Sequence, residues 1–269
     1  MRVIVTRPTQ EASQWVHALN DAGFDAVALP LIGVLPPSDP AAVAAVWARI
    51  GEFDAVMFVS GNAVDHFFAS KPSSAHVFVM PGAINTRAFV TGPGSFSALR
   101  RAQVDTRCID MPDRAAEQFD SEALWAVVAP RVQTGYRVLI VRGSASGDGT
   151  VAADKAVDGV GRDWFAEQVR AAGGSVEFVV SYQRRPPELS DADRVMVREA
   201  ATDGSVWLFS SSEAIGNLVA CCADQPWARA KAVVTHSRIA QAARKAGFSV
   251  VCESRPTLAA LMASIESVA

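Results

Sequence analysis

Phe178-Val179-Val180-Ser181-Tyr182-Gln183-Arg184-Arg185-Pro186-Pro187 begins as an apolar, β-branched run and ends in a proline pair. The first half favours a strand. The prolines lack N–H groups and disfavour helix in the residue before them, so the segment must leave its sheet extended. Leu29-Pro30-Leu31-Ile32-Gly33-Val34-Leu35-Pro36-Pro37 has the same character, and its proline pair lies 150 residues earlier. Two such crossings predict a doubled chain, with two lobes joined by two extended strands and a cleft between them.

Working outward, the rest of the sequence repeats as well. Arg2 to Val5 is an apolar strand that opens onto Thr6-Arg7-Pro8, and Arg137 to Val141 opens onto Arg142-Gly143, 135 residues later. Each is followed by an amphipathic helical face (Ala12, Trp15, Val16 and Leu19 in the first case) and a glycine stop, at Gly23 and at Gly173-Gly174. Ala55 to Val59, opening onto Ser60-Gly61-Asn62, matches Ser205 to Phe209, opening onto Ser210-Ser211-Ser212. Thr91-Gly92-Pro93-Gly94-Ser95 matches Thr235-His236-Ser237-Arg238-Ile239 at an offset of 144. Short apolar strands that alternate with helices predict parallel sheets covered on both faces, the α/β class. His76 to Met80 and Val104 to Cys108 read as further strands. Ser144 to Gly161, rich in Gly, Asp and Ala, reads as a mobile insertion at a strand end.

At 269 residues the chain is long enough for two cores, and a net charge of -3 gives no general attraction to nucleic acid or an acidic membrane. No apolar run has the length of a membrane helix. The start of the chain has no secretory pattern, and the four cysteines read as reduced thiols, which places the protein in the cytoplasm. There is no Gly-x-Ser-x-Gly elbow, no His-Glu-x-x-His and no metal cluster. Gly92-Pro93-Gly94 lacks the third glycine of a dinucleotide fingerprint.

In open parallel sheets, ligands bind at the carboxyl ends of strands. The residues expected there are Thr6, Arg7, Ser60, Asn62, Gly92, Gly94, Ser95, Arg142, Gly143, Ser211, Ser212, His236, Ser237 and Arg238. Hydroxyls and helix N-termini suit an anionic ligand, and Arg7, Arg142 and Arg238 add charge-assisted hydrogen bonds. Ser60, Asn62, Ser212 and Ser237 are equally the residue types of helix N-caps. His17, His66 and His76 read as structural or exposed, whereas His236 occupies a strand-end loop.

The chain resembles the uroporphyrinogen-III synthase family. The resemblance is carried by Val5-Thr6-Arg7-Pro8, Leu29-Pro30-Leu31-Ile32, Phe58-Val59-Ser60-Gly61-Asn62-Ala63-Val64, Asp120-Ser121-Glu122-Ala123-Leu124, Val141-Arg142-Gly143, Tyr182 with Arg184, Phe209-Ser210-Ser211-Ser212-Glu213-Ala214 and His236-Ser237-Arg238-Ile239-Ala240. The family often has threonine where Ser95 and Ile239 stand. The resemblance implies two similar parallel-sheet α/β lobes: a discontinuous first lobe from 1–35 and 186–269, and a second from 36–185. The crossings near 30–36 and 179–185 would pair as a two-stranded linker.

The resemblance also implies an activity. Hydroxymethylbilane, a linear tetrapyrrole with eight carboxylates, would be cyclised to uroporphyrinogen III with loss of water and inversion of the last ring, ring D. No cofactor is implied. Tyr182 becomes the candidate catalytic residue, as proton donor to the departing hydroxyl or only as a pin of the linker ladder. The protein would act as a monomer, taking its substrate from hydroxymethylbilane synthase, without nucleic acid or membrane. Two other readings remain open: a noncatalytic two-lobe sensor closing on a small anionic ligand, and a nucleotide-dependent α/β enzyme.

Overall fold

The structure is a computed structural model and describes residues 1–73, 86–113, 116, 118–145 and 160–268. The chain opens with strand β1 (Arg2–Val5), helix α1 (Thr9–Asp21) and β2 (Asp25–Ala28). It continues through β3 (Gly33–Leu35), α2 (Pro40–Ala48), β4 (Ala55–Phe58), α3 (Gly61–Ala69), β5 (Arg87–Val90) and α4 (Pro93–Arg101). Then come β6 (Ile109–Asp110), α5 (Ser121–Val128), β7 (Arg137–Ala145), α6 (Val160–Ala171) and β8 (Ser175–Arg185). The last part holds α7 (Asp191–Ala200), β9 (Val206–Phe209), α8 (Ser212–Cys221), β10 (Lys231–Val234), α9 (Ser237–Ala246), β11 (Val250–Glu253) and α10 (Leu258–Val268).

Two compact units result, one from Met1–Gly33 with Arg185–Ala269 and one from Val34–Arg184. The first holds a sheet in the order β11-β10-β9-β1-β2, with every neighbouring pair parallel. The second holds β3-β8-β7-β4-β5-β6, in which each pair from β8 through to β6 is parallel. Read from β6, the second sheet has the order of the first with β3 added at its end. The strand-level repeat of the sequence is thus a repeat of topology. Each sheet reverses its winding once, between β1 and β9 in the first and between β4 and β7 in the second. At such switch points the loops at the strand carboxyl ends diverge and leave room for a ligand.

Strands covered on both faces need apolar side chains at every position. In β4, Ala55 and Met57 join the core containing Phe165 and Leu124, while Val56 and Phe58 join the one containing Trp47, Phe67 and Leu99. In β9, Trp207 and Phe209 face Trp227 and Phe248, while Val206 and Leu208 face Leu19 and Ile265. Truncating one such fully buried aromatic side chain costs about 3–5 kcal/mol, so these four-residue strands fix the sheets despite their length.

Several elements differ from the sequence reading. Val104 to Cys108 is not a strand: Asp105 accepts from Arg107 N at 2.9 Å and caps a single 3-10 turn at Thr106–Cys108, which delays the strand to β6. β5 and β10, each a short run with a charged first residue, lead into Gly92 and His236 and have no counterpart in the sequence reading. The expected strand at 76–80 and most of the expected insertion at 144–161 lie outside the described residues. The later crossing is the end of one 11-residue strand, β8, which stays paired with β7 as far as Arg184. β3 is its neighbour on the other side.

Candidate functional site

In the unit holding β4 and β7, the site residues are set by a β-bulge. β7 and β8 run in register until Arg142, opposite Val180, but Gly143 lies opposite Tyr182, so Ser181 is the extra residue. A bulge places two successive side chains towards the same face. Ser181 Oγ accordingly donates to Ala63 O of α3 at 3.3 Å, and Tyr182 joins the core on the α3 side. Without the bulge, Tyr182 would face the opposite layer.

The Tyr182 ring lies on the backbone of Gly143. A Cβ at Gly143 would stand 2.7 and 2.8 Å from Cε2 and Cε1, and closer still to Cζ. The phenol oxygen is 3.1 Å from Ser60 Oγ, and either can donate. Ser60 is the N-cap of α3, its Oγ accepting from Ala63 N at 3.1 Å, which holds that hydroxyl in place. Asn62 follows in the first turn, partly exposed. His66, one turn further, stacks on Tyr182 with ring centroids 5.7 Å apart and planes at 21°.

Burial lowers the His66 pKa, with Asp65 acting against it. The neutral imidazole is therefore favoured in the fold. A lowered folded-state value means that the contribution is whole above the unfolded value of about 6.5 and is lost as pH falls through the folded value. Unfolding free energy measured by urea melts between pH 5 and 7.5 is expected to fall below about pH 6.5. That component should vanish in His66→Gln; an unchanged profile would refute the assignment.

α4 begins at Gly92, whose missing side chain leaves the cap position without a hydrogen bond. A Cβ there would come 3.2 Å from Phe119 Cβ. The space beside Gly94 is open and Ser95 is buried. Arg142 lies with its guanidinium 4.6 Å from the Phe178 ring centroid and has no carboxylate partner among the described residues.

In the other unit, Thr6 is buried and donates to Leu208 O at 2.6 Å, tying β1 to β9. Its hydroxyl serves the sheet. Arg7 donates to Glu11 Oε2 at 2.7 Å and lies over the Trp15 ring at 4.1 Å, so its charge is already balanced. Ser211 rather than Ser212 caps α8, accepting from Glu213 N at 3.1 Å, and Ser212 is exposed. His236 rather than Ser237 caps α9, its Nδ1 accepting from Arg238 N at 3.1 Å. The caps of α8 and α9 sit one residue earlier than Ser212 and Ser237, because Ser211 and His236 are the last extended residues, whereas in α3 Ser60 is the cap and Asn62 lies two residues beyond it, inside the helix.

Arg238 is exposed in the first turn of α9, without a carboxylate partner among the described residues. A cation is disfavoured at a helix N-terminus. Like α10, and like α2 apart from its Asp39 cap, α3, α4 and α9 begin without an acidic residue in the first turn, whereas α1, α5, α6, α7 and α8 have at least one. The three therefore present uncompensated positive ends.

The structure thus gathers Ser60, Gly143 and Tyr182 and adds His66, which periodicity could not single out. It turns Thr6 and Arg7 inward to their own sheet and helix, and leaves Arg142 and Arg238 without a carboxylate partner among the described residues. Among the described residues no group of His, Cys, Asp and Glu could hold a metal ion, and no helix is long and apolar enough to cross a membrane.

Comparison with known proteins gives a consistent result. The curated uroporphyrinogen-III synthase of Chlorobaculum parvum is 27% identical over 205 residues, covering 75% of this chain and 72% of that one. The crystal structure of uroporphyrinogen-III synthetase from Helicobacter pylori superposes with a TM-score of 0.58 at 16% identity, covering 100% of both chains. A mutant uroporphyrinogen III synthase from the extremely thermophilic bacterium Thermus thermophilus gives 0.53 at 12% identity, covering 100% of this chain and 98% of that one. These likenesses carry the two-lobe α/β fold. The family model described as uroporphyrinogen-III synthase HemD matches residues 13–263, nearly the whole chain, which therefore belongs to the uroporphyrinogen-III synthase family.

Proposed function

We propose that this chain cyclises hydroxymethylbilane to uroporphyrinogen III, with ring D inverted and water lost, and that Tyr182 supplies the proton that leaves with the hydroxyl. The observation that carries the activity is the family match over 13–263, which makes the chain a cyclising lyase of porphyrin biosynthesis. Nothing favours the sensor alternative.

The reaction needs little conventional catalytic machinery. Hydroxymethylbilane loses its hydroxyl to form an azafulvene. Attack by the substituted carbon of the last ring gives a spiro intermediate, and fragmentation and reclosure give the type III product. The substrate also closes unaided to the type I isomer, so the enzyme must chiefly hold one conformation and favour one site of attack. Tyr182 O–H donates to the leaving oxygen, the C–O bond breaks with its electron pair, and water departs. Ser60, whose Oγ is held by Ala63 N, is placed to donate a hydrogen bond to the phenolate that develops, and the pyrrole N–H proton released as the azafulvene forms restores the phenol. The N–H groups at the start of α4, Arg142 and Arg238 bind substrate carboxylates. Thr6 and Arg7 act by shaping β1 and α1. We read the enzyme as a cytoplasmic monomer without cofactor that receives its substrate from hydroxymethylbilane synthase.

The decisive test supplies freshly made hydroxymethylbilane, oxidises the products and separates the uroporphyrin isomers by chromatography. The type III isomer is expected to dominate. Type I alone, at the rate without enzyme, would reject the proposal.

Carboxylate binding has its own test. A hydrogen bond to a charged group contributes about 1.5–3 kcal/mol, so Arg142→Gln and Arg238→Gln should each raise KM about tenfold or more. The effect should shrink in high salt. Arg7→Gln should leave KM within about twofold and instead lower stability by about 0.5–1 kcal/mol through the Trp15 contact. A KM for Arg7→Gln raised as far as that for Arg142→Gln would reverse the assignment.

A further inference from the structure

His66 has no assigned part in this chemistry, yet its position is specific. Among the described residues its imidazole makes no hydrogen bond, and its ring contact is with Tyr182. Asp65 beside it does not fix the imidazole, because its carboxylate is engaged by Arg101 of α4 at 3.1 and 3.2 Å. Burial also favours the uncharged ring. What His66 offers is a flat, neutral surface, laid on the phenol by the same helix whose N-cap meets the phenol oxygen.

We propose that His66 is a positioning residue: it presses the Tyr182 ring onto Gly143, so that the hydroxyl points to Ser60 and to the departing oxygen of the substrate. The inference rests on the reading of Tyr182 as proton donor. Three contacts then define the ring: Gly143 beneath it, Ser60 at its oxygen, and His66 stacked against it. Gly143 bars the ring from sinking, but a single hydrogen bond leaves it able to swing about its Cα–Cβ bond, which would carry the hydroxyl away from Ser60. The imidazole removes that freedom. The contribution is geometric, so another flat ring should serve.

The chain has two tyrosines, Tyr136 and Tyr182, which makes the ring directly observable. In protein labelled with ring-13C tyrosine, Tyr182→Phe assigns the Tyr182 signal, and Tyr136 reports on the rest of the same unit. In His66→Ala the Tyr182 ring signal should move towards the position of an unrestrained tyrosine while that of Tyr136 stays. His66→Phe should keep the wild-type pattern. In turnover assays, kcat should fall about tenfold in His66→Ala with KM within about twofold, as for a misplaced catalytic group, and His66→Phe should restore it. His66→Ala should cost nothing further in a Tyr182→Phe background. An unmoved Tyr182 signal, a shift shared equally by Tyr136, a failure of Phe to substitute, or an additive loss in the double variant would overturn the proposal. Should the signals behave as expected while Tyr182→Phe itself turns over normally, the positioning stands and the proton-donor reading falls.

Discussion

Replacing Gly143 with alanine is expected to lower stability by about 1–3 kcal/mol, the usual cost of overpacking, and to reduce kcat at least tenfold. The new methyl would enter the space of the Tyr182 ring, with ring carbons 2.7 and 2.8 Å away. A tyrosine ring at the surface would swing aside at little cost. This one is buried, with Ser60 at its oxygen and His66 against it, so relief must come from turning the ring out or spreading β7 from α3. Turning the ring out moves the hydroxyl, and a displacement of about 1 Å can cost up to about a hundredfold in rate. Gly216→Ala is the natural control. That glycine lies within α8 with nothing within 4 Å of an added Cβ, so alanine should stabilise by about 0.5–1 kcal/mol through helix propensity. Urea melts and steady-state rates on both variants decide the matter. A Gly143→Ala protein as stable and active as wild type would show that the ring is not confined.

The same contacts show what a sequence can and cannot reveal. β4 and β9 are legible because burial on both faces leaves no polar position in Ala55-Val56-Met57-Phe58 or Val206-Trp207-Leu208-Phe209, and because each opens onto small polar residues. Their recurrence exposes the doubled topology. β5 and β10 are less visible, since a strand of four residues with Arg87 or Lys231 at its head has too little pattern to stand out. The site is harder for a different reason. Periodicity reports which face of an element is apolar, but not which residue lies across from it. Tyr182 meets Ser60 across 122 positions only because Ser181 is an extra residue against Gly143, and nothing in Val180-Ser181-Tyr182 announces a bulge. For the same reason His66 looks like any other of the scattered histidines. Arg7 and Arg142 look equivalent at the ends of repeated strands; they differ because Glu11 and Trp15 lie one and two helical turns from Arg7, whereas Arg142 meets Phe178.

Tyr182→Phe is the sharper test of chemistry, because it removes one oxygen and leaves the ring on Gly143. The lost contact is a neutral hydrogen bond to Ser60, with a net contribution of about 0.5–1.5 kcal/mol, so the protein should fold and its melting transition should change little. The rate should not survive so well. A proton delivered in the transition state contributes about 10²–10⁴-fold, so kcat should fall at least about a hundredfold. KM should hold within about twofold, because the carboxylate-binding groups are untouched. The product distribution adds a reading that rate alone lacks. As enzymic loss of the hydroxyl slows, a growing share of substrate closes in solution to the type I isomer. The residual product made on the enzyme should remain type III, because folding of the chain on the protein does not depend on the phenol. Ser60→Ala separates support of the phenolate from structure: it should slow turnover less than Tyr182→Phe, yet destabilise more, by about 0.5–2 kcal/mol, since α3 loses its cap. Near-normal kcat in Tyr182→Phe would remove the phenol from the proton path and leave it as a packing residue between Gly143 and α3.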